Sequence, residues 1–532
     1  MDAVREEKSS LEEVLYYIMF SLLLCLKGVG LEESSSMFRG VLAAAIILFV
    51  AKILIGRYSI RELIVLSVGV FGGVFYFWHI GSLSILIYTL ILLGMKNVSV
   101  PKVMKIGAVV WSACFIATVT AAIFFSRTGV QLVHEKLGLG PVLRESLGYS
   151  HPNVLHVTYI VLMAFILYTC EKKSVMKTIV LLLLGDIWVF LYSMSYTGLL
   201  ISFGMLVVYL YFTYRKQILI GEEIAIASIL PLCIIVSIIP VVLDVHGRIY
   251  QIMNSALNNR VWAIKVFFDQ YPQTIFGQRI IRDNFSLDNS YIYALAWYGI
   301  VFLFVIAVLY EVLVIKYLRT NRRKELAIIL SFLVAGITEQ FLFNASIKNI
   351  TFVFMGEMIF ELLKQKGNEV SLLSRLNHML RISMEWKTNW KQKLKSTLKQ
   401  MSWKRVVIQY IIVNSIILSV LFFIKMNPYK QVYVNEGMCD CGGILVSENQ
   451  INETDDTLVL GSKSQGDQFY YFTDENSNFI EVMDGRYKIS LSIYITAAVM
   501  LGERLLEFVK GVIMRKDDKN HGKDDICVGE RK

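Results

Sequence analysis

Four arginines, Arg248, Arg260, Arg279 and Arg282, fall in one polar stretch, residues 244–288, of a largely apolar chain. A guanidinium offers a planar fork of donors that matches phosphate oxygens, so arginines gathered in this way suit an anionic head group. The stretch closes on Asp288-Asn289-Ser290-Tyr291. Asp, Asn and Ser are favoured helix caps. A carboxylate capping a helix at a water-filled mouth is also placed to take a proton from a hydroxyl. A second polar stretch, residues 127–152, ends in Ser150-His151-Pro152-Asn153. There Pro152 suits a first helical turn, and His151 has the chemistry of a phosphate donor or a proton carrier. Glu339 is the third candidate, because an acid in an apolar span is costly unless it has a partner or a task. Asp186 and Glu357 meet the same description, and there polar contact between helices is the preferred reading.

The elements that position these groups follow from composition. The 532 residues are 55% hydrophobic and 18% charged, with a mean hydropathy of +0.55. Soluble domains carry about 25% charged residues. Apolar runs begin near Glu13, Phe38, Glu62, Leu83, Met104, Asn153, Lys177, Thr197, Glu222, Asn289, Glu325, Lys348, Arg405 and Lys488. They predict an all-α polytopic integral membrane protein of about 14 transmembrane helices. The basic residues cluster in alternate loops, as at Arg57 and Arg61, at Lys172, Lys173 and Lys177, and from Lys316 to Lys324. Placing those loops in the cytoplasm puts both termini inside and the stretches 127–152 and 244–288 outside. The net charge of +10 then suits anionic lipid rather than nucleic acid.

The domain reading is a membrane domain over 1–363, a basic amphipathic linker over 364–404, and a span over 405–426. An external acidic module (427–487), a last span (488–513) and a cytoplasmic tail (514–532) follow. Trp386, Trp390 and Trp403 among the linker lysines fit a segment lying on a leaflet, and a solvated linker fits as well. Thr457-Leu458-Val459-Leu460 and Phe469-Tyr470-Tyr471-Phe472 predict that the module is rich in β-strands. Within 258–270 the apolar residues and the Lys265/Asp269 pair predict a short interfacial helix with Arg260 at its start. Cys25, Cys114, Cys170 and Cys233 read as small core residues, and Cys439-x-Cys441 has poor spacing for an ordinary disulfide. The sequence has no Walker loop, dinucleotide-binding glycine fingerprint, metal-ligand spacing or Gly-x-Ser-x-Gly, so ATP-driven transport and serine hydrolysis have no support.

Four stretches resemble the bacterial O-antigen polymerase and ligase superfamily. Gly148-Tyr149-Ser150-His151-Pro152-Asn153 is similar to its His-Pro-Asn segment before a span. Ser193-Met194-Ser195-Tyr196-Thr197-Gly198-Leu199-Leu200 is similar to its Ser-Arg-Thr-Gly-Leu-Leu entry, with Tyr196 where arginine is common. Arg260-Val261-Trp262, followed by Thr274-Ile275-Phe276-Gly277, resembles its Arg-x-x-Trp loop. Asp288-Asn289-Ser290-Tyr291 through Tyr298-Gly299-Ile300 resembles its Asn-x-Tyr span. The resemblance runs to about Leu363. Ligases of the superfamily carry histidine where this chain has Asp288, which favours a repeat-unit polymerase.

The resemblance implies a metal-independent, cofactor-free glycosyltransferase in the bacterial cytoplasmic membrane. It would join undecaprenyl-diphosphate-linked oligosaccharide units into a surface polysaccharide on the external face. Asp288, Glu339 and His151 would be catalytic. Arg260, Arg248 and Arg279 would hold the diphosphate. Asn289, Tyr291 and Trp262 would contact sugar, with Tyr250 and Trp297 further aromatic candidates. Its partners would be the lipid-linked substrates, the bilayer, and flippase and chain-length regulator proteins. The alternatives are a flippase for the same lipids and a ligase.

Overall fold

The computed structural model describes residues 9–125, 131–136, 140–257, 260–280, 287–364, 403–424, 431–435, 444–451, 457–460, 468–473 and 478–524. Arg282, Trp386, Trp390, Cys439 and Cys441 lie outside them. The chain forms two units, residues 1–130 with 145–384, and residues 131–144 with 385–532.

The first unit is a helix bundle. Its helices are α1 (Leu11–Gly28), α2 (Ser36–Ile55), α3 (Ile60–Ile80), α4 (Ser84–Leu93), α5 (Val100–Phe125), α6 (Pro152–Thr169), α7 (Val175–Ser193) and α8 (Tyr196–Tyr214). They continue as α9 (Ile220–Ala227), α10 (Ile229–Val242), α11 (Arg248–Ala256), α12 (Arg260–Gln270), α13 (Ser290–Arg319), α14 (Arg323–Ala335) and α15 (Thr351–Leu363). Local chemistry starts them where the sequence says. Ser10 with Glu13, and Ser59 with Glu62, close reciprocal capping boxes on α1 and α3, each satisfying amides that a helix start leaves open. The Nδ1 of His151 caps α6 by accepting from the Asn153 amide at 3.1 Å, with Pro152 next in the chain. α6 is buried along nearly all of its length, so it is the bundle's centre.

Among the described residues, α2, α3, α5, α6, α7, α8 and α13, together with α16 (Trp403–Phe422) of the second unit, are long and apolar enough to cross a membrane. That makes 8 candidate spans, or up to 9 if α9 and α10, bent by 42°, act as one. The protein is thus a multi-pass membrane protein, with fewer candidate spans than the run count of about 14 predicts. The reason is physical. α1 carries Glu12, Glu13 and Lys27 in 18 residues. α4 has 10 residues, and α14 and α15 have 13 each. Thirteen helical residues rise about 20 Å, short of a hydrocarbon core of about 30 Å. The run near Lys488 lies inside α17 (Asn478–Asp524), a single 47-residue helix that is not among the candidate spans.

α14 and α15 flank an irregular segment, residues 336–350, that the run count read through. Its backbone polar groups need partners wherever they are buried, and backbone and side-chain groups from the start of α13, from α13 itself and from α4 supply them. The Ser290 amide donates to the Gly336 carbonyl at 2.7 Å, and the Ser290 hydroxyl to the Glu339 carbonyl at 2.5 Å. Asn289 donates to the Ile337 carbonyl at 2.8 Å, and the Tyr298 and Tyr88 hydroxyls to the carbonyls of Phe343 and Phe341 at 3.0 and 3.5 Å.

α13 is itself broken at Gly299, whose φ of 84° and ψ of 179° are not helical. The break frees two amides, and the loop before Gly277 takes them: Ile300 donates to Thr274 and Val301 to Ile275, both at 3.1 Å. Gly277 (φ 81°) passes so close that a Cβ there would sit 2.0 Å from the Trp297 carbonyl oxygen. A Cβ on Gly299 would lie 2.3 Å from the Gly277 nitrogen. Both positions therefore admit only glycine.

The second unit contains the β-rich module. Strands β3 (Gln431–Asn435), β4 (Ile444–Ser447), β5 (Thr457–Leu460) and β6 (Gln468–Thr473) form one sheet in the order β4-β6-β3-β5. β3 runs antiparallel to β6 and parallel to β5. The two strands expected from sequence are β5 and β6. A hairpin of β1 (Gln131–Lys136) and β2 (Gly140–Glu145), from the 127–152 stretch, joins their core through Val133 and Leu143, against Val432, Val434, Phe472, Ile480 and Met483. Within the same unit the guanidinium of Arg486, on α17, donates to the Leu143 carbonyl at 2.6 Å.

Candidate functional site

α12 brings Arg260 to the site. Its apolar side, Val261, Ile264 and Phe267, packs inward with Leu287, Ile292 and Ala296. Trp262 faces away and is half exposed. Lys265 ties the helix to the end of α10, donating to the carbonyls of Val241 and Leu243 at 3.2 and 2.8 Å. Arg260 stands at the first turn and turns its guanidinium onto two acids. It meets the Asp288 carboxylate through Nε at 3.3 Å and Nη2 at 3.2 Å, and Glu339 through Nη2 at 3.4 Å. Three residues far apart in the chain, chosen on their types, are thus in contact.

Thr197 opens α8 beside them and donates to the same Glu339 oxygen at 3.3 Å. Glu339 lies in the 336–350 segment, outside every candidate span. Burial pushes its carboxyl up to about 7, with Asp288 adding to the rise and Arg260, Thr197 and Lys348 pulling it down. A carboxyl at that position exchanges a proton near neutrality, as a general base or acid requires.

Asp288 and Glu339 form part of the wall of a cavity of about 720 Å³. Loops from one end of the bundle meet there: α1 to α2, α3 to α4, the approaches to α6 and α13, and the 336–350 segment. His151 lines it from the start of α6. Because Nδ1 of His151 accepts the capping hydrogen bond, a neutral ring carries its proton on Nε2. Tyr293 and Trp297, four residues apart on α13, line another part and stack on each other with ring centroids 4.6 Å apart. They offer flat aromatic faces to a ligand.

The other residues singled out from sequence sit elsewhere. Arg248 and Arg279 are exposed and do not line the cavity. Tyr291 is 1% exposed and gives its hydroxyl to the Leu333 carbonyl at 2.6 Å. Asn289 is buried and caps α13 through the amides of Tyr291 and Ile292, both at 3.0 Å. It lines only a separate hollow of about 30 Å³ that also touches Arg260 and Asp288. Trp262 and Tyr250 are likewise off the cavity wall. Cys114, Cys170 and Cys233 are buried as expected, whereas Cys25 is exposed.

Sequence reasoning passed over three groups that the structure puts on the wall. Tyr293 was marked only by its i,i+4 spacing from Trp297. Lys348 and Lys27 each looked like ordinary basic residues at the edge of an apolar run. Lys348 is 4% exposed, in a position where lysine is rare without a partner.

The expected helix-to-helix role of Asp186 and Glu357 is what the structure gives. The Asp186 carboxylate meets His156 Nε2 at 2.9 Å and the Ser202 hydroxyl at 2.6 Å, all fully buried. Glu357 pairs with Arg322 and accepts from the Tyr317 hydroxyl at 3.1 Å. Comparison of the chain with protein-family models, with curated proteins and with solved structures finds no match.

Proposed function

We propose that this multi-pass membrane protein is a glycosyltransferase that polymerises undecaprenyl-diphosphate-linked oligosaccharide units on the external face of a bacterial cytoplasmic membrane. The observation that carries the reading is the contact of Arg260 with both Asp288 and Glu339 at the wall of a cavity large enough for sugar units. In the proposed reaction a sugar hydroxyl of the incoming unit attacks the anomeric carbon of the growing chain. The new carbon–oxygen bond forms as the bond to the diphosphate breaks, and the lipid diphosphate leaves with the electron pair. Glu339 takes the hydroxyl proton. Asp288, held by Arg260, orients the acceptor. His151 donates to sugar or phosphate, and Tyr293 with Trp297 form a shelf for a sugar ring. A large cavity whose wall carries charged, polar and aromatic side chains inside an apolar bundle supports a saccharide ligand over a purely lipid one.

Deleting the gene and analysing lipid-linked intermediates tests the reaction class. Single repeat units accumulating on the outer leaflet support polymerisation. Accumulation on the inner leaflet would identify a flippase, and free long polymer a ligase. Arg260→Ala and Asp288→Ala test the site, and both are expected to leave short products on gels. Long polymer from a protein carrying both changes would overturn the assignment.

A further inference from the structure

The expected anion ligand, Arg260, is already committed. With both acids ionised, Arg260, Asp288 and Glu339 sum to one negative charge, which repels a phosphate rather than holding it. The cavity has other cations. Lys348 lines it and is 4% exposed, yet no carboxylate among the described residues lies within salt-bridge distance of its ammonium. Among the described residues that ammonium makes one hydrogen bond, to the Val154 carbonyl in the first turn of α6 at 3.2 Å. An ammonium has three donors, so two remain for a ligand.

Lys27 lines the same cavity from the end of α1. Its ammonium is 3.8 Å from Glu33, at the edge of a salt bridge, and 4.8 Å from the Phe38 ring centroid. The two lysines feel each other: burial and the Lys27 charge push Lys348 down to about 7 against the pull of Glu339. Like charges on one cavity wall are relieved by an anion that both can reach, and Glu32 and Glu33, which line the same cavity, offset only the half-buried Lys27. The N-terminal end of α6, on the same wall, adds a positive dipole end.

We propose that Lys348 and Lys27, with His151, form an anion pocket in this cavity, and that its ligand is the diphosphate of a lipid-linked saccharide. The pocket itself stands on the two lysines; the identity of the ligand rests on the polymerase reading. The division of labour is then spatial. The lysine side neutralises the leaving diphosphate, and the Arg260–Asp288–Glu339 side handles the acceptor hydroxyl.

The test uses the full chain in lipid nanodiscs, with inorganic pyrophosphate as probe and a polyprenyl diphosphate as competitor. Lys348→Gln is expected to weaken pyrophosphate binding at least tenfold and the Lys348→Gln/Lys27→Gln double variant further. Lys348→Arg should restore most of the binding, and Lys173→Gln, on an exposed connection, should leave it unchanged. Wild-type binding by a folded double variant would overturn the pocket. Loss of binding in Arg260→Gln, with Lys348→Gln unaffected, would do the same and place the anion on the arginine. If Lys348→Gln does not fold, Lys27→Gln and Lys348→Arg still decide. A polyprenyl diphosphate that does not compete would overturn the lipid-linked ligand. Lysine-dependent binding in a protein whose deletion leaves polymer length unchanged would sustain the pocket and reject the polymerase reading.

Discussion

Two of the clusters in the helix bundle set carboxylates against a nitrogen-bearing side chain, imidazole in one and guanidinium in the other, together with hydroxyls of Ser or Thr. One is Asp186 with His156, Ser202 and Ser193, whose hydroxyl lies 3.0 Å from His156 Nδ1. Every member is fully buried, and the Ser202 hydroxyl also donates to the Gly198 carbonyl at 3.0 Å. The other is Arg260 with Asp288, Glu339 and Thr197, beside a cavity of about 720 Å³. Their residue types alone do not separate them, since both set acids in apolar surroundings. What separates them is access: the first is fully buried, and the second sets Asp288 and Glu339 on the wall of the cavity.

The comparison is broken or kept first by Asp186→Ala. Removing one partner of a buried pair leaves the other uncompensated, which costs about 3–5 kcal/mol. Thermal unfolding in detergent is expected to show that loss, while the molecules that remain folded form polymer at the wild-type rate. A stable but inactive Asp186→Ala protein would make the sealed cluster part of the site. Glu339→Gln is the mirror case. Its unfolding temperature should stay near wild type, because a neutral amide suits the buried position. The polymerisation rate should fall by about 10²–10⁴-fold, the usual contribution of a positioned base.

The sequence made the near half of this contrast legible. Asp288, Glu339 and His151 were selectable because each is a titratable residue at or near the end of an apolar run, Arg260 because it is one of four arginines in a polar stretch, and alternating basic loops put them on one face. The strands β5 and β6 showed in their apolar runs. What stayed hidden depends on non-local packing. The 336–350 segment is apolar enough to read as two span ends, and only the carbonyl contacts from Asn289, Ser290 and Tyr298 reveal a non-helical path. His156 sits in an apolar run with nothing in its neighbourhood to mark it, because its partner Asp186 is 30 residues away. Asn289 and Tyr291 carried a motif-based expectation, and the structure uses both to hold backbone. Lys348 looked like a boundary marker because its burial beside the start of α6 cannot be read from spacing.

The pH profile sharpens the contrast within the open site. In the proposed reaction Glu339, pushed up to about 7, serves as a base only when deprotonated, so activity should rise as pH climbs through about 7. Lys348, pushed down to about 7, holds an anion only when protonated, so activity should fall as pH climbs further. The groups facing them are Arg260, Asp288 and Thr197 for the acid and Lys27 for the lysine, with each also acting on the other. The expected profile of the initial polymerisation rate is a narrow bell near neutrality. Lys348→Arg keeps its charge at all working pH values and should flatten the alkaline limb alone. Asp186, sealed away, should contribute no limb, so Ser202→Ala should leave the shape of the profile unchanged.

The smallest effects are expected where charge is exposed. Arg248 and Arg279 come from the same polar stretch as Arg260, and the sequence singles out Arg260 only by its place at the start of a short helix and in the family-like loop. In the structure both are exposed and off the cavity wall. Exposed substitutions usually change a free energy by less than about 0.5 kcal/mol, roughly a twofold effect. Arg248→Gln and Arg279→Gln should therefore keep polymer length and rate within about twofold of wild type. Raising ionic strength should erase even that difference, since charges in water are screened within about 10 Å at 0.1 M salt. A tenfold loss in Arg279→Gln at high salt would require a direct contact with substrate, and would extend the site from the cavity wall onto the loop that fills the break at Gly299.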